Sequence, residues 1–163
     1  MKIRIYCLAS LAVVCLSSGA MAADAPATAD VLGKLHQSNL KEIDMGKMAQ
    51  KNGKSKEVKD FGKTLVKDHG AADKKVTALA KQEKIKLPAP MKDDMAPMPA
   101  GPDFDAKFGQ SMLDDHKKDI AEASKARDTT TDDKLKKLLT DTVPVLQKHQ
   151  ELAQKIVDAQ AKK

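Results

Sequence analysis

The sequence predicts an all-α protein, an antiparallel four-helix bundle with a long Pro/Met-rich link between its second and third helices. Three observations predict it. Four segments carry apolar residues at three- and four-residue spacing, with almost no β-branched alternation of the kind that marks strands. Residues 87–103, LPAPMKDDMAPMPAGPD, hold five prolines and cannot form regular helix. The other two connections are short, Asn52-Gly53 and Thr129-Thr130-Thr131. Four helices with such links bury their apolar faces most simply against one another.

The chain opens with a segment outside the fold. Lys2 and Arg4 form a basic n-region, residues 5–16 are a short apolar run, and Ala20-Met21-Ala22 is a small-x-small cleavage site. Residues 1–22 therefore read as a secretory signal peptide. Val14 before Cys15 argues against a lipoprotein. Cleavage after Ala22 leaves 141 of 163 residues, takes the net charge from +6 to +4 and removes both cysteines, Cys7 and Cys15. The expected product is periplasmic or secreted, free of disulfides and held together by packing alone. No later apolar run is long enough to span a bilayer.

Residues 23–29 are small and Pro-containing, a flexible lead-in to a bundle domain over 30–160. The first helix is expected over 30–51, with Asp30 as cap and Asn52-Gly53 as stop. Val31, Leu35, Glu42 and Ala49 share one face, flanked by Leu32, Asn39, Ile43 and Gly46. The second is expected over 55–84, capped by Ser55. Its stripe is Val58, Phe61, Leu65, His69, Ala72, Val76 and Leu79. The link over 87–103 is long for a compact domain, so a crossover and a slack loop both remain open. The third helix, over 103–127, turns Phe104, Phe108, Met112, Asp119 and Ala123 inward, with His116 beside them. The fourth, over 132–159 with Thr131 as cap, carries Leu135, Leu138, Leu139, Leu146, His149, Leu152, Ala153 and Ile156. Pro144 lies within it and is expected to kink it before His149.

The charge pattern excludes one class of function. After signal removal the only arginine is Arg127 and the only aromatics are Phe61, Phe104 and Phe108. Nucleic-acid readers rely on arginine forks and stacked aromatics. The lysines here alternate with Asp and Glu, as on solvated helix faces, so no nucleic-acid partner is expected.

The chemistry-bearing pattern is a recurring histidine. LVKDH ends in His69, MLDDH in His116 and VLQKH in His149, each His following an apolar pair. FGKTLVKDH and FGQSMLDDH share Phe-Gly and Asp-His at identical spacing. Counting at about 1.5 Å per residue from the turns places Glu42, His69, His116 and His149 within roughly one helical turn of a common height. One polar side chain from each helix then points into the middle of the bundle. Asp119 lies one turn from His116 on the same face. Asp68 and Asp115 flank the cluster, where they can orient imidazole rings.

The segments NLKEIDMGKMAQ, SKEVKDFGKTLVKDH, FDAKFGQSMLDDHKKDI and VPVLQKHQELAQ resemble those of a bacterial family, domain of unknown function 4142, whose members are exported ferritin-like helical proteins. The resemblance covers nearly all of the mature chain. It places the family pattern on Glu42, Asp68, His69, His116, Asp119, Pro144 and His149, and leaves His36 outside. It implies fold and export, not an activity.

Three functional readings follow. In the first, Glu42, His69, His116, Asp119 and His149 hold zinc, copper or iron, with Asp68 and Asp115 behind them. In the second, Met91, Met95 and Met98 of the link bind copper(I) through thioethers. In the third, the Glu/His cluster is a buried hydrogen-bond network in a structural or stress-related module. Di-iron chemistry is not expected, because it uses Glu-x-x-His pairs and His116-x-x-Asp119 runs the other way. Side-chain catalysis has no supporting constellation. Beyond a metal ion, no partner class is indicated, and the protein is expected to be a monomer or a dimer.

Overall fold

The computed structural model describes residues 27–90 and 98–162. The signal segment, Met91 and Met95 lie outside the described residues. Four α-helices follow in order: α1 (Thr28–Asn52), α2 (Lys56–Gln82), α3 (Phe104–Thr129) and α4 (Asp133–Gln160). No strand occurs among the described residues.

Local chemistry sets each boundary. α1 starts at Thr28, two residues before Asp30, and Ala27 precedes it without a side-chain cap. Asp30 instead lies in the first turn, where its charge complements the helix dipole. Ser55 caps α2, its hydroxyl accepting from the Val58 amide at 3.3 Å. α2 stops at Gln82, and Lys84 follows with φ 55°, a left-handed conformation that ends a helix. Asp132 caps α4 in place of Thr131. Its Oδ1 accepts from the amides of Lys134 and Leu135 at 2.9 and 3.1 Å, satisfying two orphan donors, while Oδ2 accepts from the Thr28 hydroxyl. Pro144 sits inside α4, which runs through it without a break.

Contacts between the ends fix the topology. Asp105, at the start of α3, accepts from the amides of Lys54 and Ser55 at 2.8 Å each. The start of α3 therefore meets the α1–α2 turn. At the opposite end, the Thr28 hydroxyl donates to Asp132 at 3.0 Å and Lys134 pairs with Glu83 at 2.6 Å. The link between α2 and α3 must cross the full length of the bundle. It starts back along α1, where Gln37 donates to the Ala89 carbonyl at 2.6 Å and Pro88 lies against Gly33. Of the two topologies the sequence allowed, the crossover is the one formed. α2 and α3 run parallel on one diagonal, and every adjacent pair is antiparallel.

The two hairpins are tight. A Cβ at Gly46 would stand 2.6 Å from the Gly62 carbonyl, and one at Gly62 would stand 2.6 Å from the Gly46 carbonyl. α1 and α2 thus touch backbone to backbone. Gly109 likewise lets Ile156 approach α3, since a Cβ there would stand 2.7 Å from Ile156 Cγ2.

The core is divided in two. One apolar cluster, including Leu32, Val76, Leu135 and Leu139, fills the end where α1 begins. Another, including Val58, Phe61, Leu65, Phe104, Phe108 and Met112, fills the end with the α1–α2 turn. Between them lies a buried polar layer: Asn39, Glu42, His69, His116 and His149. Each buried polar group costs free energy unless it finds a partner, so this layer needs a specific account.

Candidate metal centre

The heights explain why the layer forms. His69 is the midpoint of α2, thirteen residues from either end. His116 is twelve residues into α3, and His149 is eleven residues before the end of α4. Because α2 and α3 are parallel, both counts run from the same end, and the levels agree within about 3 Å. The sequence count reached the same level through an antiparallel pairing, because a midpoint is equally far from both ends.

The three rings meet. His69 and His149 have ring centroids 5.1 Å apart, His116 and His149 5.3 Å, and His69 and His116 5.7 Å. Each offers one ring nitrogen, and these three atoms lie within 4.8 Å of one another. Phe61 packs against His116 and His149 from the α1–α2 turn side, at 6.4 and 6.0 Å.

The outer hydrogen bonds fix the tautomers. His116 Nδ1 donates to the Met112 carbonyl at 2.8 Å. His149 Nε2 donates to the Asp68 carboxylate at 3.0 Å. His69 Nδ1 donates to Asn39 Oδ1 at 2.9 Å. A neutral imidazole carries one proton, so each inner nitrogen is left with a lone pair. His69 Nε2 is buried and without a hydrogen-bond partner. His116 Nε2 faces His149 Nδ1 at 3.3 Å, lone pair towards lone pair.

Burial keeps the rings neutral. It pushes the His69 pKa down to about 3, helped by His149 and His116. Burial likewise pushes His116 down to about 4, against the Met112 carbonyl, which favours the charged ring. His149 is also lowered by burial, with Asp68 opposing. Three neutral donors around one point, with each outer nitrogen held by an acceptor, is the arrangement a metal-binding histidine cluster requires. The residues present fit a metal ion.

The acidic candidates take different places. Glu42 is 1% exposed and lies 3.9 Å from His116 Nδ1, on the side away from the inner nitrogens. Its Oε2 has no hydrogen-bond partner. Burial, with Asp115 and Asp119 nearby, raises its pKa to about 8, so it is protonated at neutral pH. Asp119 accepts from the Ser38 hydroxyl at 2.5 Å, and burial raises its pKa. Asp115 pairs with Lys41 at 2.9 Å, not with a ring. Asp68 is the flanking carboxylate that reaches an imidazole. Met98 packs against the apolar cluster that includes Phe61, Phe104 and Phe108.

Asn39 is the participant that residue type conceals. It stands thirteen residues before the end of α1, level with His69, and one turn from Glu42 on the same face. The height count that brings in the histidines would also have found it.

Comparisons with known proteins agree with this architecture. A family model described as a domain of unknown function, DUF4142, matches residues 15–156. Solved structures of CopM superpose on the chain. The Ag-bound form obtained by soaking has a TM-score of 0.70 at 19% identity, covering 81% of this chain and 95% of that one. The Cu(I)-bound form has 0.69 at 17% identity, covering 78% and 93%. The Cu(II)-bound form has 0.69 at 18% identity, covering 81% and 96%. At these identities the likeness shows the fold. Among curated proteins nothing matches the chain.

Proposed function

The chain belongs to the DUF4142 family, and on that footing we propose that it is an exported helical bundle that binds copper through His69, His116 and His149. One observation carries the reading. The three inner nitrogens are buried lone pairs without a hydrogen to share, and one of them, His69 Nε2, has no partner at all. A hydrogen-bond network alone leaves that atom unsatisfied, at a cost of about 1–3 kcal/mol. A cation satisfies all three donors together.

Imidazole nitrogens suit copper, zinc and iron alike. Copper is the choice because the CopM structures sharing this fold are described as Cu(I)-, Cu(II)- and Ag-bound. The chain's own residues do the work of a ligand cage. Met112, Asp68 and Asn39 orient the rings, and the Phe61 side excludes water. The signal-like pattern of residues 1–22 supports export of such a protein. No described helix is long and apolar enough to cross a membrane.

Thermal unfolding of untagged protein, stripped with chelator and then titrated with copper, tests the reading. A ligand at 100 times its Kd stabilises by about 2.7 kcal/mol, several degrees in Tm for a domain of this size. A Tm that copper leaves unmoved contradicts it. A rise with zinc and none with copper keeps the site and changes the ion.

A further inference from the structure

We infer that the cavity between α1 and α3 is the passage by which the ion reaches and leaves the three histidines, with the Ser38–Asp119 bridge at its throat. This rests on the proposed metal site and adds how that site exchanges its ion.

The seams of the bundle differ. The α1–α2 seam is closed by backbone contact at Gly46 and Gly62, and the α3–α4 seam by Ile156 over Gly109. At the level of the site the α2–α4 edge is filled by Asp68, hydrogen-bonded to His149. The α1–α3 seam is bridged instead by polar pairs, Ser38–Asp119 and Lys41–Asp115. It contains a cavity of about 410 Å³ whose lining includes exposed Lys34 and buried His69. At about 30 Å³ per water, that is room for on the order of ten waters. A second cavity, of about 550 Å³, lies by Ser55 and Ile156 and reaches none of the histidines.

The lining grades from wet to dry. Lys34, Glu122 and Lys125 are exposed, Ser38 and Asp119 are half-buried, and Asn39 and His69 are buried. The two lysines end in solvent, where water and salt screen them. Further in, the oxygen-bearing side chains are Ser38, Asn39, Asp119 and Thr142, hard donors able to replace part of a hydration shell. Apolar walls of Leu35, Ala123, Leu139 and Leu146 complete the channel. His69, the ring with the unpartnered nitrogen, closes its inner end. Of the lining residues only His69 offers an atom to the histidine cluster and only Asn39 holds one of its rings, so altering Ser38 or Ala123 changes rates of exchange and leaves affinity alone.

Stopped-flow copper uptake and chelator-driven release, with equilibrium titration alongside, test this. Ala123→Leu narrows the cavity and is expected to slow uptake and release together by about tenfold, with Kd unchanged. Ser38→Ala removes the bridge and is expected to speed both. If Ala123→Leu does not fold, Ser38→Ala alone decides. Rates equal to those of the unaltered protein, with copper binding intact, overturn the passage and leave the site standing. An unaltered chain that takes up no copper overturns the metal site and the passage with it.

Discussion

His116 Nε2 and His149 Nδ1 face each other at 3.3 Å, while the opposite nitrogen of each ring is already committed to Met112 and Asp68. No proton is left between them when both rings are neutral. Fixed tautomers and convergent lone pairs meet in this contact.

Asp68→Asn removes the charge that holds the His149 Nε2 proton. Its side chain is 29% exposed, so the folded protein tolerates the change. Copper affinity is expected to fall about 10- to 100-fold, as for other carboxylates behind a metal-bound histidine. Isothermal titration measures it, and the metal-free Tm should barely move.

The metal-free protein is expected to be most stable near pH 6 to 6.5. The histidines ionise near 6.5 when unfolded, but His69 and His116 only at about 3 and 4 when folded. Below pH 6.5 the unfolded chain binds more protons, so stability falls as pH falls. Glu42 works in the other direction. Its folded pKa is about 8 against 4.5, so the folded chain holds the extra proton and stability falls as pH rises towards 8. Glu42→Gln should flatten the alkaline limb and, because Glu42 opposes the histidines from about pH 4.5 upward, steepen the acid limb above that pH in a series of melts.

Two glycine-to-alanine changes should have opposite signs. Gly46→Ala drives a methyl to 2.6 Å from the Gly62 carbonyl, whereas at Gly70 nothing lies within 4 Å. Overpacking costs about 1–3 kcal/mol, which outweighs the gain of up to about 1 kcal/mol in helix propensity. Gly46→Ala should therefore destabilise the bundle and Gly70→Ala should stabilise it by about 0.5–1 kcal/mol. Urea unfolding with an unchanged m-value checks both.

Asp105→Ala should separate fold from site. Its buried carboxylate accepts from the Lys54 and Ser55 amides, tying the end of the crossover to the α1–α2 turn. Bonds to a charged group contribute about 1.5–3 kcal/mol each, so a loss of at least about 2 kcal/mol is expected. Copper affinity of the folded fraction should not change, because Asp105 stands eleven residues from the level of His116 along α3.

The sequence carried the helices through periodicity and the site through height. His69, His116 and His149 could be placed together because a helix converts residue number into distance at a fixed rate. What escaped it depends on neighbours that only topology supplies. The partner of Asp119 is Ser38, on α1, and that pairing requires knowing that α1 and α3 are adjacent. Glu42 shares the level of the rings, but its side chain meets the outer nitrogen of His116, a matter of rotamer rather than register. Asp132, not Thr131, caps α4, and its second oxygen holds Thr28 of α1, a choice one residue apart that pattern reading resolves poorly.

X-ray absorption at the copper edge, on untagged protein loaded with one equivalent, tests the central claim most directly. The site formed by His69, His116 and His149 predicts a first shell of imidazole nitrogen at about 2.0 Å with the outer-ring scattering typical of histidine. His69→Gln should lose one such ring. A first shell of sulfur near 2.3 Å, unchanged by His69→Gln, would place the ion on methionine and contradict the account.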